Sequence, residues 1–193
     1  MTRASDTSPM DLTAKLLIAM PGMADSRFEH SVVLICAHSP EGAMGLIVNK
    51  RFDDLRLSEL VEQLEIGDGS CVRDRAVHFG GPVEPGRGFV LHTRDFTSDL
   101  STLEVGEEFG MTATLDILEA LAAGEGPMRA LMALGYAGWG PEQLEGEILA
   151  NGWLTCDADL SLVFDTLDDG KWEAALKSLG VDAISLSAAA GRA

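Results

Sequence analysis

The stretch Gly135–Leu154, GYAGWGPEQLEGEILANGWL, sets two tryptophans, five glycines and a proline around a short acidic segment. Gly135, Gly138 and Gly140 bracket Tyr136 and Trp139, which implies close backbone packing or positive φ beside bulky rings. Pro141 falls where a first-turn helical proline belongs, because its missing N–H has no helical partner to lose. Leu144 and Ile148 then share one helical face, leaving Glu142, Glu145 and Glu147 for the wet side. Asn151-Gly152 supplies a stop, and Trp153-Leu154 restarts an extended run. The segment predicts turn, helix, turn and strand, pinned by aromatic anchors. It holds no nucleophile, no metal-ligand pair and no phosphate loop.

Outward from this block, strands come early and in neighbouring runs. Lys15–Met20 ends at Pro21-Gly22, Ser31–Ala37 is rich in β-branched residues, and Met44–Asn49 follows a turn cluster. The last two runs are close enough to pair as an antiparallel hairpin. Leu57–Leu64 repeats apolar residues at helical spacing. Val77–Phe79 and Gly88–His92 are short strands around the connection GGPVEPGRG, and Ser101–Val105 and Met111–Thr114 are two more. Helices are expected through Leu115–Ala122, over Met128–Leu134 and over Trp172–Gly180, with a weakly structured tail SLSAAAGRA. The class of Ser161–Phe164 stays open. Without a regular βαβ alternation, this pattern predicts an α+β domain with a mixed, largely antiparallel sheet.

At 193 residues with 46% hydrophobic content, the chain fits one domain with an ordinary core. Residues 1–11 (MTRASDTSPMD) are polar and lack an apolar leader core, so they read as a solvated tail before a single domain over 12–193. No apolar run approaches the roughly 18–20 residues of a membrane span. Cys36, Cys71 and Cys156 are odd in number and lack CxxC spacing, which fits a reducing cytoplasm and argues against a disulfide framework.

The formal net charge is −17, and residues 95–193 hold 18 acidic but only 4 basic side chains. Such a field repels phosphate backbones and favours a protein partner that is itself basic. Lys50, Arg51, Arg56, Arg73 and Arg75 form the one local concentration of positive charge, read as a solvated loop face with direct DNA binding as a rival reading.

Motifs that would announce chemistry are absent: there is no Walker loop, dinucleotide fingerprint, nucleophile elbow, HExxH or EF-hand. Gly80-Gly81-Pro82 is the nearest phosphate cradle, yet it runs into Val83-Glu84-Pro85, an acidic turn that would repel phosphate. His78 and His92 flank that connection and could converge, but two ligands make a poor metal site. Asp165, Asp168 and Asp169 read as a solvated turn and helix cap. No catalytic residue, metal or cofactor is assigned.

Several blocks together resemble the AlgH/YqgE family of bacterial proteins from about Leu16 to the C-terminus. They are LLIAMPGM (16–23) with Asp25 and Phe28, SVVLICAHSPEGAMGLIVNK (31–50), HFGGPVEPGRGFVLHT (78–93) and GYAGWGPEQLEGEILANGWL (135–154). The resemblance implies a branched sheet curled into a pseudo-barrel with helices packed outside. Family members are commonly labelled transcriptional regulators, and no catalytic residues are established for them. A chain of charge −17 without a recognition helix is a poor direct DNA binder. Two readings are carried forward. One is a non-enzymatic cytoplasmic domain acting through protein contacts, with Glu142, Glu145 and Glu147 as a partner-facing acidic surface. The other is a small-molecule or metal site, or an unrecognised enzyme, around Asn49, His78, Gly80, Gly81 and His92.

Overall fold

A computed structural model describes the backbone of residues 10–190 and side chains through Leu186. The described strands are β1 (Lys15–Ala19), β2 (Val32–Ser39), β3 (Gly42–Ile47), β4 (Arg51–Arg56), β5 (Ala76–Phe79), β6 (Val83–Thr93), β7 (Leu103–Val105), β8 (Phe109–Thr112), β9 (Ala130–Trp139) and β10 (Trp153–Asp157). The helices are α1 (Leu57–Gln63), α2 (Leu115–Ala122), α3 (Gln143–Leu149), α4 (Asp168–Ser178) and α5 (Ala183–Ala190). All ten strands join one sheet of order β10-β1-β2-β3-β9-β6-β8-β7, with β4 and β5 branching from it. Every pairing is antiparallel except that of β5 with β9.

The alternation of side chains along these strands sorts the core. Leu16, Ile18, Leu34, Leu46, Leu91, Phe109 and Leu131 point into the concave side of the curled sheet, which α4 closes with Trp172, Ala175 and Leu176. Their neighbours Leu17, Val33, Ile35 and Ile47 face the opposite side, under Leu144 of α3. A third cluster joins Val77, Val90 and Met132 to Leu57 and Val61 of α1 and to Ile117, Leu118 and Leu121 of α2. The α+β class and the curled, largely antiparallel sheet follow the expectation.

β9 is the branch point. Its first half, Met132–Leu134, pairs with β5 on one side while β6 runs along the other. Its second half, Ala137–Trp139, pairs with β3. The switch occurs at Gly135, whose φ is +74°. Gly80 and Gly81 cross there: a Cβ on Gly80 would lie 2.2 Å from the Gly135 carbonyl oxygen, and one on Gly81 2.1 Å from the Tyr136 carbonyl carbon. Only glycine lets the two backbones approach so closely.

Five expectations are corrected. Met128–Leu134 is not a helix but the start of β9. Leu131 and Ala133 face one cluster and Met132 another, so both faces are covered and the apolar run loses its period-two signature. The Val77–Phe79 and Gly88–His92 strands do not form a hairpin, because β9 lies between them. Arg51–Arg56, read as loop, is the mostly exposed strand β4. The C-terminal segment, expected to be weakly structured, forms α5, and residues 191–193 lie outside the described residues, as do residues 1–9 of the expected N-terminal tail. Pro141 precedes α3 instead of opening it; Glu142 is the N-cap, at φ +60°.

Candidate functional site

The five residues expected to share a pocket are each committed elsewhere. Asn49 accepts from the Val32 N–H at 2.8 Å and donates to the His30 carbonyl at 2.8 Å, tying the end of β3 to the start of β2. His92 is fully buried, with Nε2 2.8 Å from Thr112 Oγ1 and Nδ1 2.8 Å from the Thr93 carbonyl. Burial pushes its pKa down, against the Thr93 hydrogen bond and the Asp95 charge. Gly80 and Gly81 form the strand crossing. His78 faces Asp168, described below. None of the five lines either of the two large clefts.

The acidic trio on α3 also divides. Glu147 Oε2 accepts both indole N–H groups, from Trp139 at 3.0 Å and Trp153 at 2.8 Å, while its Oε1 accepts from Gln143 at 3.1 Å. Glu145 Oε1 lies 2.6 Å from His38 Nε2, and His38 Nδ1 accepts the Leu12 N–H at 3.2 Å, so the ring carries its proton on Nε2. Glu142 alone is free of a described side-chain bond, and it is exposed. Trp139 and Trp153 meet edge-to-face at 6.1 Å and Phe28 joins Trp153 in the same way at 5.8 Å. Trp172 stands apart, donating to the Ala19 carbonyl at 2.9 Å and meeting the His30 ring edge-to-face at 4.6 Å.

That aromatic row floors an open cleft of about 740 Å³, walled by the Met20–Phe28 loop and by α3. A second open cleft of about 690 Å³ lies at the mouth of the curled sheet, against Met44, Phe89, Met111 and Tyr136. Val83, Gly138 and Trp139 line both, so the two clefts adjoin at the end of β9. The arginines along it are already paired, Arg27 with Asp25 at 2.7 Å and Arg87 with Glu84 at 3.5 Å.

The family model described as AlgH-like matches residues 16–184. The chain belongs to the AlgH-like family. A UPF0301 protein of Ruegeria pomeroyi is 62% identical over 185 residues, covering 95% of this chain and all of the relative. A UPF0301 protein of Cereibacter sphaeroides is 59% identical over 184 residues, covering 95% of this chain and all of that relative. Among solved structures, the AlgH protein of Pseudomonas aeruginosa superposes with a TM-score of 0.78 at 42% identity, over 97% of each chain. A Corynebacterium diphtheriae protein shares the fold at TM-score 0.71 and 20% identity, over 92% of this chain and 90% of its own.

The AlgH-like chain also holds a polar cluster that sequence reading missed. Asp168 opens α4, with its carboxylate 3.0 Å from His78 Nε2 and 2.9 Å from Lys171 Nζ. Lys171 is only 2% exposed and donates to the Val48 carbonyl at 2.7 Å. Burial would push the Asp168 carboxyl up, but the hydrogen bonds and charges of His78 and Lys171 outweigh it and hold it at about 2. Asp168 is thus a buried staple between α4, β3 and β5, not a solvated cap. The available signal was a lysine one turn before Ala175, on the face that α4 buries. Of the remaining cations, Lys50 donates to the Arg27 carbonyl and Arg75 to the Ala130 carbonyl, while Arg51, Arg56 and Arg73 stay exposed. Burial pushes the Cys36 thiol up to about 12 and raises that of Cys156, which suits packing and not nucleophilic work. Among the described residues no three His, Cys, Asp or Glu side chains gather as metal ligands, and no helix is long and apolar enough to cross a membrane.

Proposed function

We propose that this AlgH-like chain is a non-enzymatic cytoplasmic interaction domain that receives an extended, basic segment of a partner protein. The pair of adjoining clefts, which share Val83, Gly138 and Trp139, carries the reading. Its length suits an extended chain better than a compact metabolite, and its floor is fixed from beneath by Glu147. Its arginines are neutralised by their own carboxylates, so the field of a chain of charge −17 favours a cationic occupant. Any effect on gene expression is then indirect, through the partner.

The test is an amide-shift titration with a blocked Lys/Leu-alternating hexapeptide. Changes should concentrate at Val83, Gly138 and Trp139, weaken with salt, and vanish in Val83→Arg. Shifts spread evenly over the acidic surface, or unchanged in Val83→Arg, would sink the reading. Retardation of duplex DNA by the chain at low salt would instead favour the exposed arginines of β4 and its surroundings.

A further inference from the structure

A separate pocket of about 250 Å³ lies between α1, α2 and the outer face of β6, away from the groove. Its walls are Leu60 of α1 and Leu64 just after it, Leu118 of α2, and Val90, Met132 and Leu134 of the sheet. None of its lining residues is ionisable, in a chain where 23% of residues are charged. The wall hydroxyls are already occupied: Thr112 Oγ1 bonds His92 and Thr102 at 2.8 Å, and Thr114 Oγ1 bonds Ser98 at 3.1 Å as well as Asp116. A charged group placed inside would find no counter-ion and would lose its hydration.

The space comes from the strand. The pairing of β6 with β9 breaks between Val83 and Gly88, and Gly86 and Gly88 present bare backbone to the pocket. Leu64 and Leu115, 46% and 53% exposed, flank the opening, and Gln63 is the one amide beside it.

We propose that this pocket binds an unbranched, uncharged hydrocarbon chain of about eight carbons, its polar end left at the mouth. The length follows from the volume, since a methylene fills roughly the ~30 Å³ share of a water molecule. Apolar cavities of about 150 Å³ already take up benzene, so this one accommodates a longer group. With no charge in the wall, the occupant is an alkanol, ester or amide instead of a carboxylate.

Binding of 1-hexanol, 1-octanol and 1-dodecanol, followed by methyl shifts of Leu60, Leu118 and Met132, tests the assignment. Affinity should rise about three- to fourfold per methylene from hexanol to octanol and then level off. Octanoate should bind at least tenfold more weakly than octanol. Gly86→Leu, where an added Cβ meets no atom within 4 Å, should abolish binding without lowering the Tm. Ala113→Phe, at an exposed lining position, provides a second block should the first fail to fold. A flat chain-length series, equal binding of octanoate, or binding that survives both substitutions would overturn the proposal. So would a concentration-dependent dimer that broadens the same methyl signals, because a second copy would then be the occupant. None of these outcomes depends on the peptide groove.

Discussion

Replacing Asp168 by Asn removes one charge from a cluster in which Lys171 has nowhere to go. The carboxylate sits within 3.0 Å of His78 Nε2 and 2.9 Å of Lys171 Nζ, and its side chain is only 12% exposed. A fall from 3.8 unfolded to about 2 folded corresponds to about 2 kcal/mol of stability carried by the ionised form. Leaving the Lys171 ammonium buried without its counter-ion raises the cost, toward the ~3–5 kcal/mol typical of a broken buried pair. Asp168→Asn should therefore lose about 2–4 kcal/mol at pH 7, read as a lowered urea midpoint. The sign of the pH dependence follows from a depressed pKa. The contribution is complete above the unfolded value of 3.8 and fades as pH falls toward 2, so wild type and Asp168→Asn should converge across that window. Adding Lys171→Met to Asp168→Asn should restore part of the loss, because the stranded charge is gone. An Asp168→Asn cost that stays constant down to pH 2.5, or single-variant costs that simply add in the double variant, would refute the pairing.

A glycine at the strand crossing and one in α3 should behave oppositely. Gly81→Ala sets a methyl group 2.1 Å from the Tyr136 carbonyl carbon at φ +155° and should prevent folding, seen as lost thermal cooperativity. Gly146→Ala, in α3 with nothing within 4 Å, should instead add about 0.5–1 kcal/mol and raise the Tm. Glu147→Ala strands two indole N–H groups that are nearly buried, and should cost about 2–4 kcal/mol with a changed near-ultraviolet circular dichroism spectrum. Glu147→Gln keeps an acceptor and should cost distinctly less.

The Leu57 helix and the Leu144–Ile148 face were legible in the sequence by spacing, because one side of each meets water. Ser31–Ala37 and Met44–Asn49 are covered on both faces and were legible instead as apolar runs between turn signals, the first rich in β-branched residues. β9 was not legible, since both of its faces are covered and its apolar run, without a β-branched residue, satisfies helix and strand equally. β4 escaped for the opposite reason: RFDDLR buries almost nothing, and only its backbone pairing with β5 makes it a strand. The Asp168 staple was hidden because its partners lie 90 residues away in sequence at His78 and 123 at Val48. Glu147 looked like a solvated helix glutamate, and only the approach of two indoles from β9 and β10 gives it another task. Asn49, His78, Gly80, Gly81 and His92 drew attention as chemistry-bearing types, yet each is consumed by the junctions that hold the sheet together.

The three-way sharing of β9 matters most while the chain is being made. Eight of the ten strands precede it in sequence, and β3, β5 and β6 each reserve one backbone edge for it. Until residues 130–139 leave the ribosome, those edges carry bare N–H and C=O groups beside strongly apolar faces, an invitation to pair with another chain. A nascent AlgH-like chain is therefore most vulnerable late in its synthesis. A pause between Gly124 and Met128, or a truncation there, would yield a sticky fragment instead of a smaller folded protein.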